Sequence, residues 1–217
     1  MKRRVAILIS GRGSNMAALI EAARNEDYPA EIAVVISNRA DADGLEKARA
    51  SGVPAITVES KPFGNDRKAF EAAVQAALDE HRIELICLAG FMRLLTADFV
   101  QRWHGRMLNI HPSLLPSFPG VDPHAQALKA GVKISGATVH FVIPKTDAGP
   151  ILMQGAVSVR DHDTEDTLAA RILAIEHRIY PEALRLLANG KVRLDGAICH
   201  IEPSDGPSES FISPHIT

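Results

Sequence analysis

Five short runs constrain the fold of this chain more than any other feature, because they are apolar without alternating. They are VAILIS (5–10), IAVVIS (32–37), AITV (55–58), LICLAG (85–90) and MLNI (107–110). A strand with one wet face alternates polar and apolar residues. A strand apolar on both faces has to be covered on both, as parallel strands are between two layers of helices. Segments of helix-like composition fall between the runs, at 15–24, 44–50, 67–81 and 97–103. Asp66 and Thr96 stand where the N-caps of the last two belong. Strand and helix thus alternate at least four times. The expected fold class is α/β: an open, mostly parallel, doubly wound sheet.

The second half changes character. GATVHFVIP (136–144) and PILMQGAVSV (150–159) flank a short turn, KTDAG, the pattern of an antiparallel pair added to the parallel sheet. A long helix, roughly 164–188, follows and stops at Asn189–Gly190, a C-terminal signal. No linker or repeat divides the chain, so a single domain is expected over 1–195. The last residues, 196–217, rich in Ser and Pro, are expected to form a loose tail.

Composition narrows the function classes. With 46% hydrophobic and 23% charged residues, the chain has the make-up of a globular protein with a sizeable core. A formal charge of −2 argues against a nucleic-acid binder, which needs a basic surface. No apolar run approaches the ~18–20 residues of a membrane span. MKRR before an apolar run imitates a signal peptide, but the run stops after Ile9 and enters a glycine loop with no cleavage site. Cys87 and Cys199 lack the spacing of a metal site or disulfide framework, and His104, His111, His124 and His140 show no HExxH-like pattern. A reduced, cytoplasmic protein without a metal is expected.

Two loops carry candidate chemistry. LISGRGSN (8–15) joins the first strand to the first helix; Gly11 and Gly13 allow tight turning, and exposed N–H groups at the helix start make an anion site. It has neither the lysine of a P-loop nor the third glycine of a dinucleotide fingerprint, and the same glycines also suit a plain βα turn. LNIHPSLLPSFPG (108–120) follows the fifth strand. Residues i and i+2 of a strand point to one side, so Asn109 and His111 aim an amide and an imidazole at one place, a pair suited to a developing oxyanion. A lone histidine is more often structural; the neighbouring amide shifts the balance toward chemistry. Asp147, in the tight KTDAG turn, is either a turn former or the carboxylate that imidazole needs. Ligands of open α/β sheets bind at the carboxyl ends of the strands, where these loops and LAGFMRLL (88–95) gather. There Phe91, Met92, Leu94 and Leu95 either offer an apolar wall for a flat ligand or belong to the core.

ISGRGSN, SNRADADGLEKA, LAGFMRLL, LNIHPSLLPSFPG, GATVHFV, DAGPILMQ and EHRIYPEAL occur in this order. Together they resemble the phosphoribosylglycinamide formyltransferase family, the folate-dependent enzymes of purine biosynthesis, over about residues 5–187. The resemblance implies a Rossmann-like formyltransferase fold and transfer of the formyl group of 10-formyltetrahydrofolate, the donor cosubstrate, to the amine of glycinamide ribonucleotide. Asn109, His111 and Asp147 match the family's catalytic trio: amide and imidazolium stabilise the tetrahedral oxyanion, and the carboxylate favours the imidazolium. No metal or covalent intermediate is required. Gly13, Ser14 and Asn15 match the phosphate-holding positions, and Glu176 a nucleotide contact on the long helix. Arg67, Met92, Arg93, Leu94 and Leu95 match folate-side positions, and Ile143, Pro144, Lys145, Thr146 and Asp147 the loop over the pteridine. The state implied is a monomer or homodimer. Two positions depart from the pattern: Asp122 stands where familiar members have histidine, and Arg12 where they often carry another polar residue.

Three rivals define the alternatives. Formyltetrahydrofolate deformylase hydrolyses the same donor; its members carry an N-terminal regulatory domain and typically a second histidine where Pro112 stands. With a strand beginning by Val5, no such domain is expected here. Methionyl-tRNA formyltransferase needs a basic C-terminal domain. A non-catalytic nucleotide-binding module would use only the SGRGSN loop, leaving His111 structural.

Overall fold

A computed structural model describes residues 1–202. Five parallel strands, β1 (Arg3–Ile9), β2 (Ala30–Ser37), β3 (Ala55–Thr57), β4 (Leu85–Leu88) and β5 (Met107–His111), are followed by β6 (Ile134–Phe141) and β7 (Ile151–Ser158). They form one sheet in the order β3-β2-β1-β4-β5-β6-β7. β5 and β6 pair antiparallel, as do β6 and β7. Four helices, α1 (Ser14–Ala23), α2 (Asp43–Ala50), α3 (Arg67–Glu80) and α4 (Ala97–Arg102), lie between the parallel strands. α5 (Pro123–Ala130) precedes β6, and α6 (Glu165–Ala188) follows β7.

The doubly apolar strands are explained by two cores. On β1, Val5, Ile7 and Ile9 pack with Met16 and Leu19 of α1 and Leu184 of α6, while Ala6 and Leu8 join Phe70 and Leu78 of α3 and Trp103 beyond α4. Both expected caps form: the Asp66 carboxylate accepts from Ala69 N–H and the Thr96 hydroxyl from Phe99 N–H. α6 is bound to the sheet by Tyr180, whose buried hydroxyl lies 3.0 Å from the Leu88 carbonyl and 3.2 Å from that of Leu108.

Two differences from the sequence reading have physical causes. α5 was not expected: only eight residues long, it opens on Pro123, whose fixed φ suits a first helical turn. A hairpin also spans the boundary expected at 195. Residues Val192–Asp195 (β8) and Ile198–Ile201 (β9) form an antiparallel hairpin, turned by Gly196 at φ +57°. Alternate hairpin residues, Val192, Leu194, Cys199 and Ile201, pack against the main core. Residues 203–217 of the expected tail lie outside the described residues.

One glycine decides the geometry of the loop between β6 and β7. A Cβ on Gly149 would stand 1.8 Å from the Phe141 carbonyl oxygen, so the chain passes too close for any side chain. Gly149→Ala should lower stability by about 1–3 kcal/mol through forced overpacking and displace Asp147. Urea unfolding with an unchanged midpoint would refute this.

Candidate active site

The antiparallel pairing of β5 with β6 sets opposing residues in register: Asn109 faces His140, and His111 faces Thr138. The pairing of β6 with β7 slips by one residue between Val139 and His140, an irregularity of the kind that re-aims side chains beside active sites. Asp147 then arrives from the 6–7 connection with φ +50°, a left-handed conformation that Asp tolerates. Its Oδ2 lies 3.5 Å from His111 Nδ1, and its Oδ1 lies 3.7 Å from His140 Nε2. Gly120 N–H donates to the same carboxylate at 2.9 Å. The side chains of His111 and Asp147 are only 7% and 8% exposed, so solvent screens this pair weakly.

The two imidazoles on that carboxylate have opposite surroundings. His111 has acceptors against both nitrogens: the Phe118 carbonyl 2.9 Å from Nε2, and Asp147 at Nδ1. Both acceptors are satisfied only when both nitrogens carry protons. His140 has one acceptor and one donor. Its Nδ1–H donates to the Phe141 carbonyl at 3.0 Å, which leaves Nε2 to accept from the Asn109 amide at 3.2 Å. Burial pushes His140 below its ordinary value, outweighing its bond to Phe141 and the charge of Asp147, so it is neutral near pH 7. A neutral His140 holds one proton of the Asn109 amide and leaves the other free to point into the site.

The loop after His111 is pinned from beneath. Thr138 Oγ1 donates to the Ser113 carbonyl at 2.7 Å and accepts from Leu115 N–H at 3.0 Å, while Gln154 donates to the Leu115 carbonyl at 2.9 Å. The loop crosses Phe118 at φ +55°, an uncommon backbone for a bulky residue. That turn is what points the Phe118 carbonyl at His111.

The glycine loop lies at the same edge of the sheet. Gly13, at φ +68°, precedes α1, and no side chain among the described residues caps the helix, which leaves its first N–H groups for an anion. Gly13 and Gly44 lie against one another, a Cβ on Gly13 standing 2.9 Å from the Gly44 Cα. Asn15 Nδ2 donates to Glu176 on α6 at 2.8 Å, and its buried Oδ1 has no partner among the described residues. Burial raises the Glu176 carboxyl, with the Asn15 bond opposing. A cleft of about 900 Å³ runs from residues 10–15 past 38–41 and 59–61 to Ala89, Gly90 and Met92. Its lining does not include Asn109, His111 or Asp147.

The remaining predicted positions scatter more widely. Met92 and Leu94 are 79% and 60% exposed on the loop after β4, an apolar surface open to a ligand, while Leu95 packs on the core. Arg93 lies over the Phe70 ring at 5.6 Å, and Arg67 begins α3 in solvent. Ile143 is half-buried; Pro144, Lys145 and Thr146 are exposed. His140 was missed by sequence reasoning. Its position in an apolar run reads as core, and the one available signal was that strand pairing would lay its run beside that of Asn109. Among the described residues, no cluster of His, Cys, Asp or Glu suited to a metal is present, and no helix is long and apolar enough to cross a membrane.

A family model described as formyl transferase matches residues 3–184. The chain is 50% identical over 203 residues to the trifunctional purine biosynthetic protein adenosine-3 of Homo sapiens, covering 93% of this chain and 20% of that protein. It thus spans about a fifth of the trifunctional relatives' length. The phosphoribosylglycinamide formyltransferase of Bacillus subtilis (strain 168) is 40% identical over 185 residues, 85% of this chain and 94% of that one. The crystal structure of glycinamide ribonucleotide transformylase 1 from Symbiobacterium toebii superposes with a TM-score of 0.89 at 48% identity, covering 92% and 94% of the two chains.

The buried imidazoles make stability depend on pH. His124, His140 and His177 are all held below the ordinary 6.5 by burial. The unfolded chain therefore binds their protons first, and stability is lost as pH falls below about 6.5 toward the folded values. Glu176, raised by burial, acts in the opposite direction. His140→Asn, compared with the native chain in urea melts at pH 7.5 and 5.5, should lose less midpoint on acidification. An equal loss in both would remove His140 from this account.

Proposed function

The chain belongs to the formyl transferase family, and we propose that it carries the formyl group of 10-formyltetrahydrofolate to the amine of glycinamide ribonucleotide, giving formylglycinamide ribonucleotide and tetrahydrofolate. The observation that carries this reading is the convergence of Asn109 and His111, from one strand, with Asp147, from the loop between β6 and β7. The site fits the donor on its own chemistry. It offers an exposed apolar surface at Met92 and Leu94 for a flat heterocycle, and N–H donors on Asn109 and His111 for a formyl oxygen.

The amine lone pair attacks the formyl carbon, and the carbonyl π pair moves to oxygen. The free Asn109 N–H and the His111 imidazolium stabilise that oxyanion. As it collapses, the bond from carbon to N10 breaks. N10 gains a proton while the attacking nitrogen loses one, with His111 as the carrier and Asp147 offsetting its charge. Gly13, Ser14 and Asn15 hold the phosphate at the open start of α1, and Glu176 with Asn15 faces the ribose. Arg67, Arg93, Leu95 and residues 143–146 complete the folate side. These small molecules are its partners, and the enzyme works in the cytoplasm.

Hydrolysis of the donor is the second reading. It is favoured by the superposition of a formyltetrahydrofolate deformylase from Pseudomonas syringae pv. tomato str. DC3000 with a TM-score of 0.86, at only 28% identity. Incubating the protein with both substrates separates the two: formylated nucleotide supports transfer, and formate alone refutes it. Asp147→Asn should cut turnover by ~10²–10³, the usual worth of one oriented electrostatic group, while the chain still folds. Near-native turnover would exclude Asp147 from the chemistry.

A further inference from the structure

A chain of buried hydroxyls and an amide crosses the floor of the cleft. Met92 N–H donates to Ser10 Oγ at 2.7 Å, Ser10 O–H donates to Asn38 Oδ1 at 2.5 Å, and Asn38 Nδ2 donates to Ser60 Oγ at 3.3 Å. All three side chains are buried, and each lines the cleft. Ser10 has one hydroxyl proton; given to Asn38 Oδ1, it leaves the oxygen lone pairs for Met92 N–H. Ser60 Oγ accepts from the Asn38 amide nitrogen at the far end.

We infer that Ser10 and Asn38 are positioning residues that lock the apolar wall at Met92–Leu94 to the phosphate loop. This rests on the folate-side placement of that wall proposed above. The segment between β4 and α4 has no helix or strand hydrogen bonding of its own. Side chains hold it at both ends: Ser10 takes Met92 N–H, and the buried Glu71 takes Thr96 N–H at 2.6 Å. Ser10 N–H adds a bond to the Gly90 carbonyl at 3.1 Å. The Met92 side chain itself is exposed, so this buried anchor does not serve to bury it. Ser10 is followed directly by Gly11–Gly13, and Gly11 O accepts from Gly44 N–H at 3.0 Å. Ser10 therefore ties the place for the nucleotide phosphate to the surface for the formyl donor, through its N–H at Gly90 and its hydroxyl at Met92.

Steady-state kinetics of the native chain and of Ser10→Ala, Ser10→Thr and Asn38→Ala test this. Ser10→Ala leaves the Met92 N–H unpartnered and should raise the donor KM about tenfold, with the nucleotide KM within about twofold, the effect of one buried hydrogen bond. Ser10→Thr, which keeps the hydroxyl, should restore the donor KM. Asn38→Ala should shift the donor KM in the same direction, and the Ser10→Ala/Asn38→Ala double variant should be no worse than Ser10→Ala alone, because both act through one contact. An unmoved donor KM in a folded Ser10→Ala protein, or equal shifts in both KM values, overturns the inference alone. A native protein that moves no formyl group at all overturns the function proposed above and this inference with it.

Discussion

The reversal of strand direction between β5 and β6 is the constraint on which the site depends. Parallel pairing carries the first five strands in one direction and brings their following loops to one edge. If β6 were parallel too, Asn109 would not lie opposite His140 in this register. Because β6 runs back, its C-terminal end lies beside the start of β5, and Val142 N–H bonds the Met107 carbonyl. The slip beside His140 and the fold-back at Gly149 then return the chain toward His111.

One carboxylate serving two imidazoles gains its meaning from what else each ring touches. The division lies in the hydrogen-bond partners of the two rings. The Phe118 carbonyl demands a proton on one ring, and the Phe141 carbonyl fixes the proton of the other on the nitrogen away from Asn109. In the proposed reaction His111 moves charge and His140 only orients an amide. Residues of one type, both close to Asp147, thus do different work.

Most of the fold was legible in the sequence, for a physical reason: strands covered on both faces leave runs that no surface element imitates. The long helix was legible from its terminal Asn189–Gly190, and the caps at Asp66 and Thr96 from their side-chain chemistry. α5 was not, because it is short and its start is made by a proline after a left-handed Asp122. The β8–β9 hairpin was hidden in a polar stretch whose apolar residues alternate only over four positions. In the site, Asn109 and His111 could be paired from strand periodicity alone. His140 could not, since register across strands is a tertiary fact. Asp147 read as an ordinary turn residue until family resemblance singled it out, because what distinguishes it is the close passage of Gly149 beneath Phe141.

Phe118 adds a last consequence. An aromatic residue held at φ +55° costs about 1–2 kcal/mol relative to a right-handed backbone, and a glycine there would be free of that penalty. The ring, however, packs against the main core, and the burial it gains outweighs that torsion. The same side chain thus holds its own backbone in the uncommon region and keeps the carbonyl turned to His111, so a change that loosened the ring would release the imidazole as well.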